Sequence, residues 1–295
     1  MVDVDYFLGT AFTWIQYKDC NISVHICQSE FTKFIVHRLS VQSANKVPNM
    51  KPHRSGFPID SITPVDPFDP DPTCRIQVYQ SIVVCINWLG TCTRPEIAFV
   101  LTFLDSYRNY PYPQHYKAEV HDLKYLTSTN EYGISFHFNY FSTIKAFNHF
   151  PYHHDREAYT EATYPSTSWC HQLTSYCDAN WGVQFGSSVE DGTPLELFKF
   201  RSLSGFLICR SGGPIVWKSI RQNQTALSYC EAEIMDTNEC AKEIQSLKHC
   251  TNGIGIPEAY SRTKIYNDNK AAIQWAASVT SKCINHLNLR ENMIR

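Results

Sequence analysis

Two aspartates close short strand-like runs in the second half of the chain. Asp178 ends Thr174-Ser175-Tyr176-Cys177-Asp178, and Asp268 follows Lys264-Ile265-Tyr266. A helical stretch at 229–250 lies between them and carries Glu231 and Glu233. Acids of this kind suit a divalent cation such as Mg²⁺, or equally Mn²⁺. Such ions take hard oxygen ligands, and Mg²⁺ keeps several waters, so a few carboxylates are enough. Two ions about 3.5–4 Å apart can activate a water and stabilise the leaving oxygen of a phosphodiester. Asp178 and Asp268 are far apart in the chain, but neighbouring strands of one sheet would bring them side by side.

The two glutamates compete for one role. Ser228-Tyr229-Cys230-Glu231 fits a capping box, with Ser228 at the N-cap and Glu231 three residues on. Glu233 projects about 200° away from Glu231 around a 3.6-residue turn. The preferred metal and catalytic set is therefore Asp178, Glu233 and Asp268, with Glu231 as the alternative to Glu233. Asp236 and Glu239 are expected on a solvated face of the same helix.

The elements that must position these acids run β-β-β-α-β-α from residue 173: strands at 174–178, 204–210 and 215–218, the helix at 229–250, a strand at 264–266 and a helix at 270–277. Ser211-Gly212-Gly213-Pro214 is a turn between the second and third strands. This order implies an α/β layering around a mixed sheet. Upstream, Tyr6–Ile15 reads as one strand-like run and Ile22–Cys27 alternates with period two, together a hairpin. Phe31–Leu39 has helical spacing. Residues 43–76 hold a proline-rich linker, expected to be extended. Residues 77–129 read as three helices, with Pro95 at a first turn, and 132–140 alternate again as a strand. The resulting division is 1–42, the linker 43–76, 77–140, an irregular linker 141–172, and 173–295.

The chain has 295 residues, 43% hydrophobic and 18% charged, with net charge −2. These are globular values, and the missing basic excess counts against unaided tight nucleic-acid binding. Arg201, Arg210, Lys218 and Arg221 are candidate phosphate contacts, with Arg201, Lys218 and Arg221 kept as the nucleic-acid set; an ordinary solvated surface is the competing reading. Trp181 and Trp217 are expected in the core, and Cys177 on the sheet face opposite Asp178. The twelve cysteines form no CxxC pair. His153, His154, Cys170, His171 and Cys177 fit no standard zinc spacing. No signal peptide or membrane-spanning run is visible, which implies an intracellular chain, cytoplasmic or nuclear, with no membrane partner.

Five motifs in order carry a resemblance: Tyr176-Cys177-Asp178-Ala179-Asn180-Trp181; Arg201-Ser202-Leu203-Ser204-Gly205-Phe206; Ile215-Val216-Trp217-Lys218-Ser219; Ala226-Leu227-Ser228-Tyr229-Cys230-Glu231-Ala232-Glu233; and Ile265-Tyr266-Asn267-Asp268-Asn269-Lys270-Ala271-Ala272-Ile273. Together they resemble the RNase H domain of Ty1/copia retrotransposon Pol polyproteins. Asp5-Tyr6-Phe7-Leu8-Gly9, Thr93-Arg94-Pro95-Glu96-Ile97 and Leu123-Lys124-Tyr125-Leu126 resemble the end of the reverse-transcriptase palm and the thumb and connection before that domain. The resemblance implies an RNase H-like mixed sheet with flanking helices, preceded by a smaller α+β thumb/connection region. It implies Mg²⁺-dependent cleavage of RNA in an RNA–DNA hybrid, with Asp178, Glu233 and Asp268 matching the family's metal-binding acids. The hybrid would be recognised through helix shape and 2′-hydroxyls. It also implies a polymerase part before Met1 as a partner region, so polymerase activity is not expected from this stretch alone. Asn288 stands where the family usually has Asp, and the last strand and helix, with a fourth acid, would fall past Arg295. The expected site is thus one ligand short, and an inactive remnant that keeps the fold, with at most nucleic-acid or protein binding, stays open beside the enzyme. An integrase-like nuclease is disfavoured by the long helix at 228–250.

Overall fold

The computed structural model describes residues 5–16, 22–38, 72–109, 111, 113–138, 173–182, 201–254 and 263–277. Most of the proline-rich linker, the irregular stretch 141–172 and Asn288 lie outside the described residues. Among the described residues, no helix is long and apolar enough to cross a membrane.

The first sheet has the order β1-β2-β3-β4: Tyr6–Phe7, Thr10–Gln16, Ile22–Cys27 and Gly133–Phe138. All three pairings are antiparallel. The run expected as one strand at 6–15 is two. Leu8 (φ 49°) and Gly9 (φ 79°) are both left-handed and fold Tyr6-Phe7 back onto Thr10-Ala11. Two successive left-handed residues make the tight hairpin turn that suits strand twist. Leu8 carries the steric cost of that turn in place of the usual Asn or Asp, so only Gly9 marks it by residue type.

Among the described residues between β3 and β4 are the helices α1 (Ser29–Arg38), α2 (Pro72–Cys92), α3 (Ala98–Ser106) and α4 (Pro113–Ser128), with a 3₁₀ turn at Pro95–Ile97 leading into α3. Pro72 opens α2, so residues 72–76 belong to the helix and not to the linker. A proline in the first turn loses no helical hydrogen bond. The helices close on Tyr79, Ile86, Leu89, Ile97, Leu104, Leu123 and Leu126, all essentially inaccessible.

This core also holds acids. Glu119 is 1% exposed, its Oε1 finds no hydrogen-bond partner, and burial, then the nearby Asp122, pushes its carboxyl up to about 9. In the unfolded chain it ionises near 4.5. The fold therefore holds a proton that the unfolded chain releases across this window, and stability falls as pH rises from about 4.5 to about 9. Glu119→Gln removes that slope. Urea unfolding at pH 5, 7 and 9 should show the variant gaining on the wild type with pH, by on the order of a few kcal/mol at the alkaline end.

The second sheet has the order β7-β6-β5-β8: Gly213–Arg221, Leu203–Arg210, Thr174–Asn180 and Lys264–Tyr266. The β5–β6 and β6–β7 pairs are antiparallel and β5–β8 is parallel. The β6–β7 turn is tighter than expected: Ser211 (φ 50°) and Gly212 (φ 78°) alone make it, and Gly213 and Pro214 already belong to β7. Helix α5 (Tyr229–Gly253) packs on one face of this sheet, through Cys240 and Ile244 against Cys177, Phe206 and Ile208. Its other side meets α6 (Lys270–Ala277), where Ile234 contacts Ala272 and Trp275. The described chain is thus mixed α/β with one mixed sheet, as expected at that level.

The two sheets are joined through β7. The Trp217 indole N–H donates to the Gly90 carbonyl at 2.6 Å, the Thr102 hydroxyl donates to the Ser219 carbonyl, and His137 N–H donates to the Ser211 carbonyl at 2.8 Å. A Cβ on Gly213 would stand 2.4 Å from the Ser135 carbonyl oxygen, so only glycine permits this approach.

Candidate metal centre

The parallel pairing of β5 with β8 sets Ser175 beside Ile265 and Tyr176 beside Tyr266. Both chains continue in the same direction, so Asp178 and Asp268 arrive at the same end of the sheet. Helix α5 crosses beneath and brings Glu233. Carboxylate oxygens of Asp178, Glu233 and Asp268 all lie within 4.8 Å of one another. Asp178 and Asp268 are exposed, and Glu233 is fully buried. The sequence-preferred triad is therefore one cluster.

The two glutamates differ in their hydrogen bonding. Ser228 Oγ accepts from Glu231 N–H at 3.2 Å, and Glu231 Oε2 accepts from Leu227 N–H at 2.7 Å. Glu231 is a capping residue whose carboxylate reaches one residue before the cap, to Leu227. Glu233 Oε1 accepts from Ala179 N–H at 3.3 Å and Oε2 from Asn267 Nδ2 at 2.9 Å, and the Tyr229 hydroxyl also bonds this carboxylate.

The electrostatics favour a cation. Burial raises the Glu233 pKa, against the opposing pull of Asn267, Tyr229 and Ala179 N–H. Burial and then the charge of Asp268 raise that of Asp178. Clustered carboxylates that resist ionisation are what a divalent ion relieves. The donor set is all oxygen, which suits Mg²⁺ or Mn²⁺. Cys177 lies nearby, but burial pushes its thiol up to about 11, so it is not a thiolate ligand at neutral pH.

Several expectations need correcting. Asp236 is not on a solvated face: it is 0% exposed and neither carboxylate oxygen makes a well-formed hydrogen bond. Burial pushes it up to about 8, against the pull of the Ser204 hydroxyl, so it stays largely protonated at neutral pH. The cause is that α5 is covered on two sides, by the sheet and by α6. Glu239 is half-exposed and paired with Lys242. Trp181 is not core but 49% exposed, with its indole N–H donating to the Ala226 carbonyl at 3.0 Å. Trp217 is half-buried, and Cys177 faces α5 as expected. Of the basic set, Lys218 is ion-paired with Glu243, and Arg221 is half-buried, its pKa lowered first by burial and, after partial offset by Tyr107, by Arg201. His153, His154, Cys170 and His171 lie outside the described residues. The sequence reading missed Asn267 and Tyr229 as partners of Glu233. Asn269 offered the signal for the first: its Oδ1 caps α6 by accepting from Ala272 N–H at 3.0 Å, so the turn before α6 was a place to look for asparagine contacts.

No family model and no solved structure matches the chain. It is 24% identical over 294 residues to the retrovirus-related Pol polyprotein from transposon RE2 of Arabidopsis thaliana, covering 99% of this chain and 16% of that protein. It is 25% identical over 218 residues to the retrovirus-related Pol polyprotein from transposon TNT 1-94 of Nicotiana tabacum, covering 74% of this chain and 13% of that protein. It is also 29% identical over 165 residues to secreted RxLR effector protein 161 of Plasmopara viticola, covering 56% of this chain and 87% of that protein. The chain's homologues thus include retrovirus-related Pol polyproteins of plant transposons, which supports a retrotransposon polyprotein origin. The chain spans only a small part of those polyproteins' length.

Proposed function

We propose that the chain is the RNase H-like part of a retrotransposon Pol polyprotein, cleaving the RNA strand of an RNA–DNA hybrid with Mg²⁺ or Mn²⁺ held by Asp178, Glu233 and Asp268. The observation that carries this reading is the convergence of those three carboxylates at one end of a mixed sheet. Divalent ions held there would polarise the phosphodiester and lower the pKa of an attacking water. The protein's part is to keep three oxygens fixed. The last residues of β5 hold Asp178, the turn after β8 holds Asp268, and α5 carries the buried glutamate, which accepts hydrogen bonds from Ala179 N–H and Asn267. The remainder of the polyprotein, including its polymerase part, is the proposed partner region.

A second reading is favoured by one finding: the similarity to secreted RxLR effector protein 161 takes in most of that protein. The fold would then be kept without cleavage, with nucleic-acid or protein binding instead. One assay separates the two. The purified chain is incubated with an end-labelled RNA–DNA hybrid in Mg²⁺ or in EDTA, with single-stranded RNA as control. RNA-strand cleavage only in the hybrid and only with Mg²⁺ is expected. A well-folded chain that leaves the hybrid intact would remove the enzyme reading and leave the second.

A further inference from the structure

Glu233 does not stand alone in its pocket. Beside the Tyr229 hydroxyl, a second side chain bonds it: Asn267, which comes from the turn between β8 and α6. Asn267 Nδ2 lies 2.9 Å from Glu233 Oε2, 3.2 Å from Thr237 Oγ1 and 3.5 Å from Cys177 Sγ. Its Oδ1 accepts the Asn269 backbone N–H at 2.7 Å. The amide orientation follows from these neighbours. A backbone N–H can only donate, so it must meet Oδ1, and an ionised carboxylate can only accept, so it must meet Nδ2.

Two consequences arise from one side chain. With Ala179 N–H on Oε1, Asn267 on Oε2 and the Tyr229 hydroxyl as a third donor, both oxygens of the Glu233 carboxylate are held, and the carboxylate as a whole keeps lone-pair capacity for a cation. At the same time, the Oδ1–Asn269 bond closes a local turn around Asp268, and Asn269 in turn caps α6. Asn267 therefore ties a ligand on α5 to a ligand after β8.

We propose that Asn267 is a positioning residue for the metal centre, acting through its N–H donation to Glu233. This rests on the metal site of the proposed function. Hydrogen-bond partners of this kind change metal affinity by about 10–100-fold.

The test uses the full chain and Mn²⁺ alone, with binding measured by calorimetry and unfolding followed in EDTA. Asn267→Ala removes both contacts. Asn267→Ser keeps an oxygen for the Asn269 N–H but is too short to reach Glu233. Both variants should bind Mn²⁺ about 10–100-fold more weakly than wild type, while Asn267→Ser keeps the wild-type melting temperature in EDTA within a few degrees. If Asn267→Ala does not fold, the Ser variant carries the test. Wild-type Mn²⁺ affinity in Asn267→Ser would overturn this inference and leave the proposed function standing. A wild-type chain that takes up no Mn²⁺ would overturn both.

Discussion

Glu233→Gln is expected to reduce hybrid cleavage by at least about 100-fold, the scale that even outer partners of metal ligands set, whereas Glu231→Gln should leave cleavage within a few-fold of wild type. The two glutamates are two residues apart on one helix, both are buried, and their substitutions remove the same charge. Only their environments differ. Gln at 233 puts an amide where a cation needs a carboxylate. Its single carbonyl oxygen also cannot serve both Ala179 N–H and Asn267 Nδ2, which now donate to separate oxygens. Gln at 231 keeps a carbonyl oxygen for Leu227 N–H and loses mainly the favourable charge near the helix N-terminus, worth about 0.3–1 kcal/mol. Asp178→Asn and Asp268→Asn should resemble Glu233→Gln. Melting curves in EDTA separate loss of metal chemistry from loss of fold. Cleavage that survives Glu233→Gln but fails in Glu231→Gln would reverse the assignment, and cleavage that survives Asp178→Asn would place the chemistry elsewhere.

That contrast was legible in the sequence because capping is local: a serine followed three residues later by glutamate, just before a helix, needs no tertiary information. The two aspartates were legible as acids near the ends of short strand-like runs, although β5 runs on past Asp178 to Asn180 and Asp268 follows β8 by two residues. What escaped were features decided by what lies across the helix. Asp236 sits in a stretch of α5 buried against the sheet on one side and against α6 on the other, so no single apolar stripe marks its inward side. Trp181 was expected in the core, yet it falls just past the end of β5 and is exposed. Asn267 looked like one polar residue in a turn. Its importance comes from Glu233, which is distant in the chain and adjacent only once β8 has paired with β5. The split of the first hairpin at Leu8-Gly9 was hidden because leucine is not a turn residue by type, although Gly9 was available as a cue.

Arg94→Ala should cost about 3–5 kcal/mol of stability, the scale for breaking a buried ion pair by removing one partner. Arg94 is 1% exposed. Its Nε bonds the buried Glu96 carboxylate, while Nη1 and Nη2 donate to the carbonyl and hydroxyl of Thr129 at 3.1 and 2.6 Å. The guanidinium lies 5.5 Å from the Tyr125 ring centre and 5.7 Å from that of Tyr132. One planar cation thus holds the 3₁₀ turn, the end of α4 and the entry to β4 together. Alanine would leave Glu96 charged and buried, with the Tyr125 hydroxyl at 3.5 Å as a remaining partner; the Thr129 hydroxyl would lose its Arg94 donor, and the Thr129 carbonyl would keep only the Tyr132 N–H at 2.9 Å. Lysine keeps the charge but not the fork, so Arg94→Lys should recover only part of the loss. Replacing both ends, as in Arg94→Met with Glu96→Leu, removes the stranded charge and should be milder than Arg94→Ala alone. Denaturant unfolding of the four proteins checks this order. A double variant as unstable as Arg94→Ala would mean that the contacts to Thr129 and the tyrosines, and not the ion pair, hold the corner together.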